Sequence, residues 1–104
     1  MPLSAVSSTV IDLILLTDAV QAQDDEESRR LARRVARIAR VSGWPLIARQ
    51  ARAVELLAML GAPFQHIRAA VERLLLMTEQ HLHALPVADK EAFDEPLYAA
   101  QRRC

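Results

Sequence analysis

The stretch RRLARRVARIARVSGWPLIARQARAVELLAMLGAP, from Arg29 to Pro63, shows how this chain is divided into helices. It holds two runs rich in Ala, Leu and Arg, which are strong helix formers. Each run ends in a glycine that is followed two residues later by a proline. Glycine is favoured just past the end of a helix and proline in the first turn of the next. The stretch therefore predicts two consecutive helices joined by short turns.

The same reasoning, applied outward from this stretch, predicts an all-α protein. The chain has 104 residues, of which 52% are hydrophobic and 25% charged, which suits one globular domain. We expect four helices, at roughly Ser8 to Gln21, Asp25 to Ser42, Pro45 to Leu60, and Pro63 to Leu85. Because short connections make sequential helices antiparallel, residues 1–86 are predicted to form an up-down four-helix bundle. Residues 87–104 are predicted to form a tail or a short C-terminal helix.

The first predicted helix is unusually apolar. Its hydrophobic residues cover most of its circumference, which predicts a heavily buried helix with Ser7 or Ser8 as its N-cap. Asp12 and Asp18 interrupt it and point in different directions, so they do not form a paired acid site. Either aspartate is expected to receive an arginine from a neighbouring helix or to be simply exposed.

Charge is strongly segregated along the chain although the formal net charge is zero. The segment from Ser28 to Arg73 contains ten arginines and only two acids, Glu55 and Glu72, a net charge of +8. The rest of the chain carries eleven acids and three basic residues, a net charge of −8. Such an asymmetry indicates more about binding partners than the zero total does.

Arginines of the second helix form one face. At about 100° per residue, its six arginines fall within an arc of about 140°, opposite a face of Leu31, Val35 and Ile38. Two interpretations are open: a solvated face paired with acids of neighbouring helices, or a surface that binds an acidic protein or nucleic acid. The second interpretation predicts these partner-binding residues: Arg30, Arg33, Arg34, Arg37 and Arg40.

Nucleic-acid binding has little further support in the sequence. Aromatic side chains, on which single-stranded bases would stack, are scarce. A helix-turn-helix motif usually has a small polar turn where Pro45 already begins a helix. Nucleic acid therefore remains an alternative partner.

The stretch from Arg29 to Ala58 resembles histidine-containing phosphotransfer (HPt) domains, which are helical bundles of this size. Their second core helix carries a pattern like LAHxLKGSAxxLGA, followed by an Ala/Leu-rich helix with a glutamate near its end. Leu31 and Ala32 match the pair before the family histidine, Gly43 matches its second glycine, and ARAVELLA is similar to the third helix. The resemblance extends from about Val10 to Leu85 and implies a phosphorelay signalling role.

Three departures from the HPt pattern alter what the resemblance implies. Arg33 stands at the position of the phosphorylated histidine, Ala36 at that of the family lysine, and Arg37 at that of a small glycine. Arginine cannot accept and pass on a phosphoryl group, and a bulky Arg37 would crowd a docking receiver domain. The resemblance thus implies a non-catalytic pseudo-HPt domain of bacterial-type two-component signalling, with Arg33 as a permanent positive charge for an acidic receiver domain.

No other motif predicts catalysis, a cofactor or a metal, and we expect a non-enzymatic protein. His66 is expected on the surface of the fourth helix. His81 and His83 fall on different helix faces, and Glu79 with His83 supplies only two ligands of one helix. The single cysteine, Cys104, has no partner for an internal disulfide.

The sequence predicts a cytoplasmic protein. No run reaches 18 apolar residues, which argues against a membrane span. The apolar N-terminal stretch lacks a basic flank and is interrupted by Asp12 and Asp18, unlike a signal peptide.

Three functional hypotheses follow. The first is an HPt-like adaptor that binds an acidic partner through its arginine face, and the second is a nucleic-acid-binding protein that uses the same face. The third is a structural bundle, either of one copy or of two copies that bury more of the first helix. In the third case Arg33, Arg37 and Arg40 should pair with acids of the same chain or of a twin subunit.

Overall fold

The computed structural model describes residues 4–84, which form four helices and no strand. These are α1 (Ala5–Gln21), α2 (Asp25–Val41), α3 (Pro45–Met59) and α4 (Phe64–Ala84). Each helix packs against the next, and α1 also packs against α4, which closes the ring. The predicted all-α four-helix bundle is confirmed. The predicted tail or short helix at 87–104 lies outside the described residues.

All three turns of the bundle end their helices in the same way. The backbone N–H of Asp24, Trp44 and Ala62 each donates to a carbonyl five residues earlier, at 2.9, 2.8 and 3.0 Å. The residue before each has a positive φ: 56° at Gln23, 79° at Gly43 and 66° at Gly61. This is the Schellman motif, which needs one left-handed residue just past the helix. The predicted glycine stops are confirmed, and the first turn uses a glutamine instead.

Helix α1 begins three residues before the predicted start. Its N-cap is Ser4, whose Oγ accepts a hydrogen bond from the Ser7 backbone N–H at 3.1 Å. The expectation of Ser7 or Ser8 as the cap was wrong. Ser4, Ser7 and Ser8 are each able to cap, and the helix begins early enough to include the buried Val6.

The core lies along the bundle axis and is built from aliphatic side chains of all four helices. Helix α2 buries Leu31 and Val35, as its amphipathic pattern predicts, and leaves Ile38 half-buried. The most completely buried apolar residues include Leu16, Leu31, Val35, Val54 and Leu74. Burying a side chain of this kind stabilises the fold by about 1.5–3 kcal/mol.

Helix α1 was predicted to be heavily buried, and the structure buries only one side of it. Ile11, Ile14 and Leu15 are 43, 58 and 46% exposed. The next residue in the chain, Leu16, points to the core and is fully buried. The physical reason is the ring architecture. Helix α1 packs mainly against α2 and α4, so among residues 4–84 no helix covers the face of α1 that carries Ile11, Ile14 and Leu15.

None of the four helices described is long and apolar enough to span a lipid bilayer.

Candidate functional site

A groove lined by arginines runs between α2 and α3. Arg33, Arg37 and Arg40 of α2 lie on one side of it, and Arg52 of α3 on the other. The groove has a volume of about 350 Å³, and Ala36 and Glu55 complete its lining. We call these four arginines and the space between them the arginine groove. It forms because the arginines follow one another by three or four residues on one side of α2, beside the adjacent helix.

Three of these arginines have no acidic partner in the described part of the chain. Arg33, Arg37 and Arg40 are exposed, and none makes an ion pair within residues 4–84. The hypothesis of a structural bundle predicts that these three arginines pair with acids of the same chain or of a second copy. Within the described part of the chain they are not so paired. Guanidinium groups in one groove repel each other and favour an anionic ligand.

A buried carboxylate lies in the wall of the arginine groove. The Glu55 side chain is only 7% exposed, and its Oε1 accepts a hydrogen bond from Arg52 Nη1 at 2.8 Å. Glu55 lies one helical turn after Arg52, so both come from the same side of α3. This pair orients Arg52 and leaves the groove with a surplus of positive charge from α2.

The other two predicted partner-binding residues are already engaged elsewhere. The Arg30 Nε donates to Glu27 Oε1 one turn earlier in α2. The Arg34 Nε lies 3.4 Å from Asp12 Oδ2 of α1. The five predicted residues are therefore divided: Arg33, Arg37 and Arg40 line the arginine groove on the α3 side, whereas Arg30 and Arg34 make ion pairs outside it.

The two aspartates of α1 follow the two alternatives predicted for them: Asp12 receives an arginine from a neighbouring helix, and Asp18 is exposed. The Asp12 side chain is 3% exposed. Burial raises the pKa of the Asp12 carboxyl above its ordinary value, because the ionised form loses hydration. The positive charges of Arg34 and Arg30 lower that pKa, but by less.

The described histidines do not assemble into a metal site. His66 is exposed, as predicted for a surface residue. His81 packs its ring against Trp44 with 5.0 Å between ring centroids. Between residues 4 and 84 no group of three or more His, Cys, Asp or Glu residues is placed to hold a metal ion.

Comparison of the chain with protein-family models, with curated proteins and with solved structures finds no significant match.

Sequence reasoning did not include Arg52 and Glu55 in the site. Both were visible within ARAVELLA, where their spacing of three residues marks an ion pair on one helix face. Their position beside Arg33 and Arg37 depends on how α3 is rotated against α2, which the pattern of one helix does not contain.

Proposed function

We propose that this protein is a non-catalytic cytoplasmic adaptor that binds an acidic protein partner through the arginine groove. The observation that carries the proposal is the convergence of Arg33, Arg37 and Arg40, unpaired within residues 4–84, on a groove shared with Arg52. An arginine fork donates two hydrogen bonds at once to a carboxylate or phosphate, so clustered arginines suit an acidic surface.

The partner we propose is a receiver domain of bacterial two-component signalling. The proposal is supported by the resemblance to HPt domains, whose phosphorylated histidine corresponds to Arg33. Arg33 is exposed on a helix of a four-helix bundle. There it would present a fixed positive charge to the acidic site of a receiver without accepting a phosphoryl group.

The aromatic residues in the described part of the chain favour a protein over nucleic acid as the partner. The aromatic residues among 4–84, Trp44 and Phe64, are both half-buried, so this part of the chain has no exposed aromatic ring for base stacking.

The test compares affinity capture by the wild-type protein and by an Arg33→Glu/Arg37→Glu variant. The bait is the full chain, the source is a native lysate used with and without nuclease treatment, and captured proteins are identified by mass spectrometry. We expect a receiver-domain protein whose binding falls at least about tenfold in the variant and weakens with rising salt. The tenfold value corresponds to about 1.4 kcal/mol, the lower end for close interfacial charge pairs.

A matched control is Arg49→Glu/Arg73→Glu. Arg49 and Arg73 are exposed, lie outside the arginine groove, and make no ion pair in the described part of the chain. This variant changes the net charge by the same amount and should keep the partner. If both variants lose the partner equally, the loss depends only on net charge, and the proposal is contradicted. Binding that disappears on nuclease treatment alone would assign the groove to nucleic acid.

A further inference from the structure

The exposed face of α1 carries a regular stripe. Ser4, Ser7, Ile11, Ile14, Asp18 and Gln21 follow each other by alternating steps of three and four residues. This is the spacing of the a and d positions of a coiled coil, which form a single seam along a helix. All six are exposed except Ser7, which is half-buried. We call these six residues the α1 seam.

The α1 seam is complementary to itself when a second α1 is laid against it in the opposite direction. With the two-fold axis midway between Ile11 and Ile14, each Ile11 faces the Ile14 of the second copy. The same operation sets Ser7 opposite Asp18 and Ser4 opposite Gln21. Every layer then joins compatible groups: two apolar side chains at the centre, a hydroxyl with a carboxylate next, and a hydroxyl with an amide at the ends.

The hydrogen bonds of the N-cap leave the right donor for this pairing. Ser7 Oγ accepts a hydrogen bond from Ser4 Oγ at 3.0 Å, and within residues 4–84 no acceptor takes the Ser7 hydroxyl hydrogen, which is thus available to be donated. A carboxylate accepts such a bond, and Asp18 is exposed. A parallel arrangement of two α1 helices would instead set Asp18 against Asp18, which is repulsive.

We propose that the α1 seam is the interface of an antiparallel homodimer with two-fold symmetry. A second copy of this chain fits the face because both its apolar centre and its polar ends match under one symmetry operation. The arginine groove lies between α2 and α3, whereas the seam is on α1 and faces away from the core. Dimerisation therefore leaves both arginine grooves accessible, and this inference does not rest on the proposed function.

The seam is short. Helix α1 has 17 residues, so it is about 25 Å long, and the interface contains two central isoleucine layers with Leu15 at their flank. Interfaces of this size form reversible complexes, and we expect a dissociation constant of roughly micromolar order.

Sedimentation velocity of the full chain over about 1 to 500 µM, a range that brackets this dissociation constant, tests the interface. We expect the wild type to pass from monomer to dimer over this range. An Ile14→Glu variant should stay monomeric, or dimerise at least about tenfold more weakly, because its dimer would bury the glutamate charge in the seam. The matched control is Leu60→Glu, since Leu60 is 78% exposed at the C-cap of α3 and lies off the seam. Circular dichroism checks that both variants remain helical.

Disulfide trapping tests the direction of the two helices. Ser7→Cys and Asp18→Cys are made separately in a Cys104→Ser background and then oxidised alone or as a mixture. We expect cross-linked dimers from the mixture, because residues 7 and 18 face each other. In either single variant the two cysteines lie eleven residues apart along the axis, about 16 Å, beyond disulfide reach.

Two results would overturn the homodimer. One is a wild-type protein that remains monomeric over the whole concentration range, and the other is a dimer that Ile14→Glu leaves intact. Cross-linking of Ser7→Cys with itself but not with Asp18→Cys would show a parallel pairing and equally refute the proposed seam.

Discussion

Asp12 of α1 and Arg34 of α2 form an ion pair across the first helix interface, with 3.4 Å between Oδ2 and Nε. The Asp12 side chain is 3% exposed and that of Arg34 is 52% exposed. The contact lacks hydrogen-bond geometry, and Asp12 Oδ2 has no hydrogen-bond partner among residues 4–84. The carboxylate therefore loses its hydration and recovers only part of that loss through the charge of Arg34.

Replacing Arg34 by alanine should destabilise the protein by about 1–2 kcal/mol at pH 7, because it leaves a buried carboxylate without its nearest counter-charge. The value is below that of a fully buried pair because solvent screens the half-exposed arginine. Urea denaturation measures the free energy of unfolding. In an Asp12→Asn background the same substitution should cost much less. An equal cost in both backgrounds would show that Arg34 acts through packing alone.

The stability difference between Asp12→Asn and the wild type should depend on pH. Folding raises the pKa of Asp12 above its ordinary value of 3.8, so the folded state holds this proton more tightly than the unfolded state. The contribution of Asp12 to stability is therefore complete below pH 3.8 and is lost as the pH rises through the folded pKa. We expect the two proteins to be similarly stable near pH 3 and the asparagine variant to be the more stable at pH 7. A difference that stays constant between these pH values would contradict this account.

The turn between α1 and α2 should be improved by a Gln23→Gly substitution. Gln23 has a φ of 56° at the position where the other two turns have Gly43 and Gly61. A side chain in the left-handed region costs roughly 1 kcal/mol, which glycine avoids although it adds some entropy to the unfolded chain. We predict a stabilisation of up to about 1 kcal/mol. Thermal unfolding measures it, and the reverse change Gly43→Gln is the control that should lower the melting temperature.

Glu55→Gln should strengthen binding of the acidic partner to the arginine groove. The substitution removes the negative charge from the groove and releases Arg52 from its 2.8 Å ion pair. A several-fold gain in affinity, on the order of 1 kcal/mol, is expected, with a steeper dependence on salt. Isothermal titration with the captured partner measures it. Glu72→Gln breaks the exposed pair with Arg68 outside the groove and should have little effect. Weaker binding by Glu55→Gln would assign Glu55 a direct role in holding the partner.

Local chemistry accounts for the parts of the fold that the sequence predicts well. The α2 boundaries and its division into an arginine face and a Leu/Val face follow from capping residues and helical periodicity, which act within a few residues. Gly43 and Gly61 mark their turns because their missing side chain permits a positive φ. The position of the first turn was predicted correctly, but its left-handed residue, Gln23, is not a glycine and could not be recognised from the sequence.

The amino-acid sequence by itself determined where the helices are, that they form a bundle, and that the arginines of α2 point away from its core. Only the tertiary structure decided how those arginines divide between two neighbours. Arg34 turns to Asp12 of α1, and Arg33 joins Arg52 of α3 in the arginine groove. It also decided that Ile11 and Ile14 stay exposed. Periodicity sets the direction of a side chain relative to its own helix axis, whereas burial and ion pairing depend on the rotation of neighbouring helices, which packing between distant residues sets.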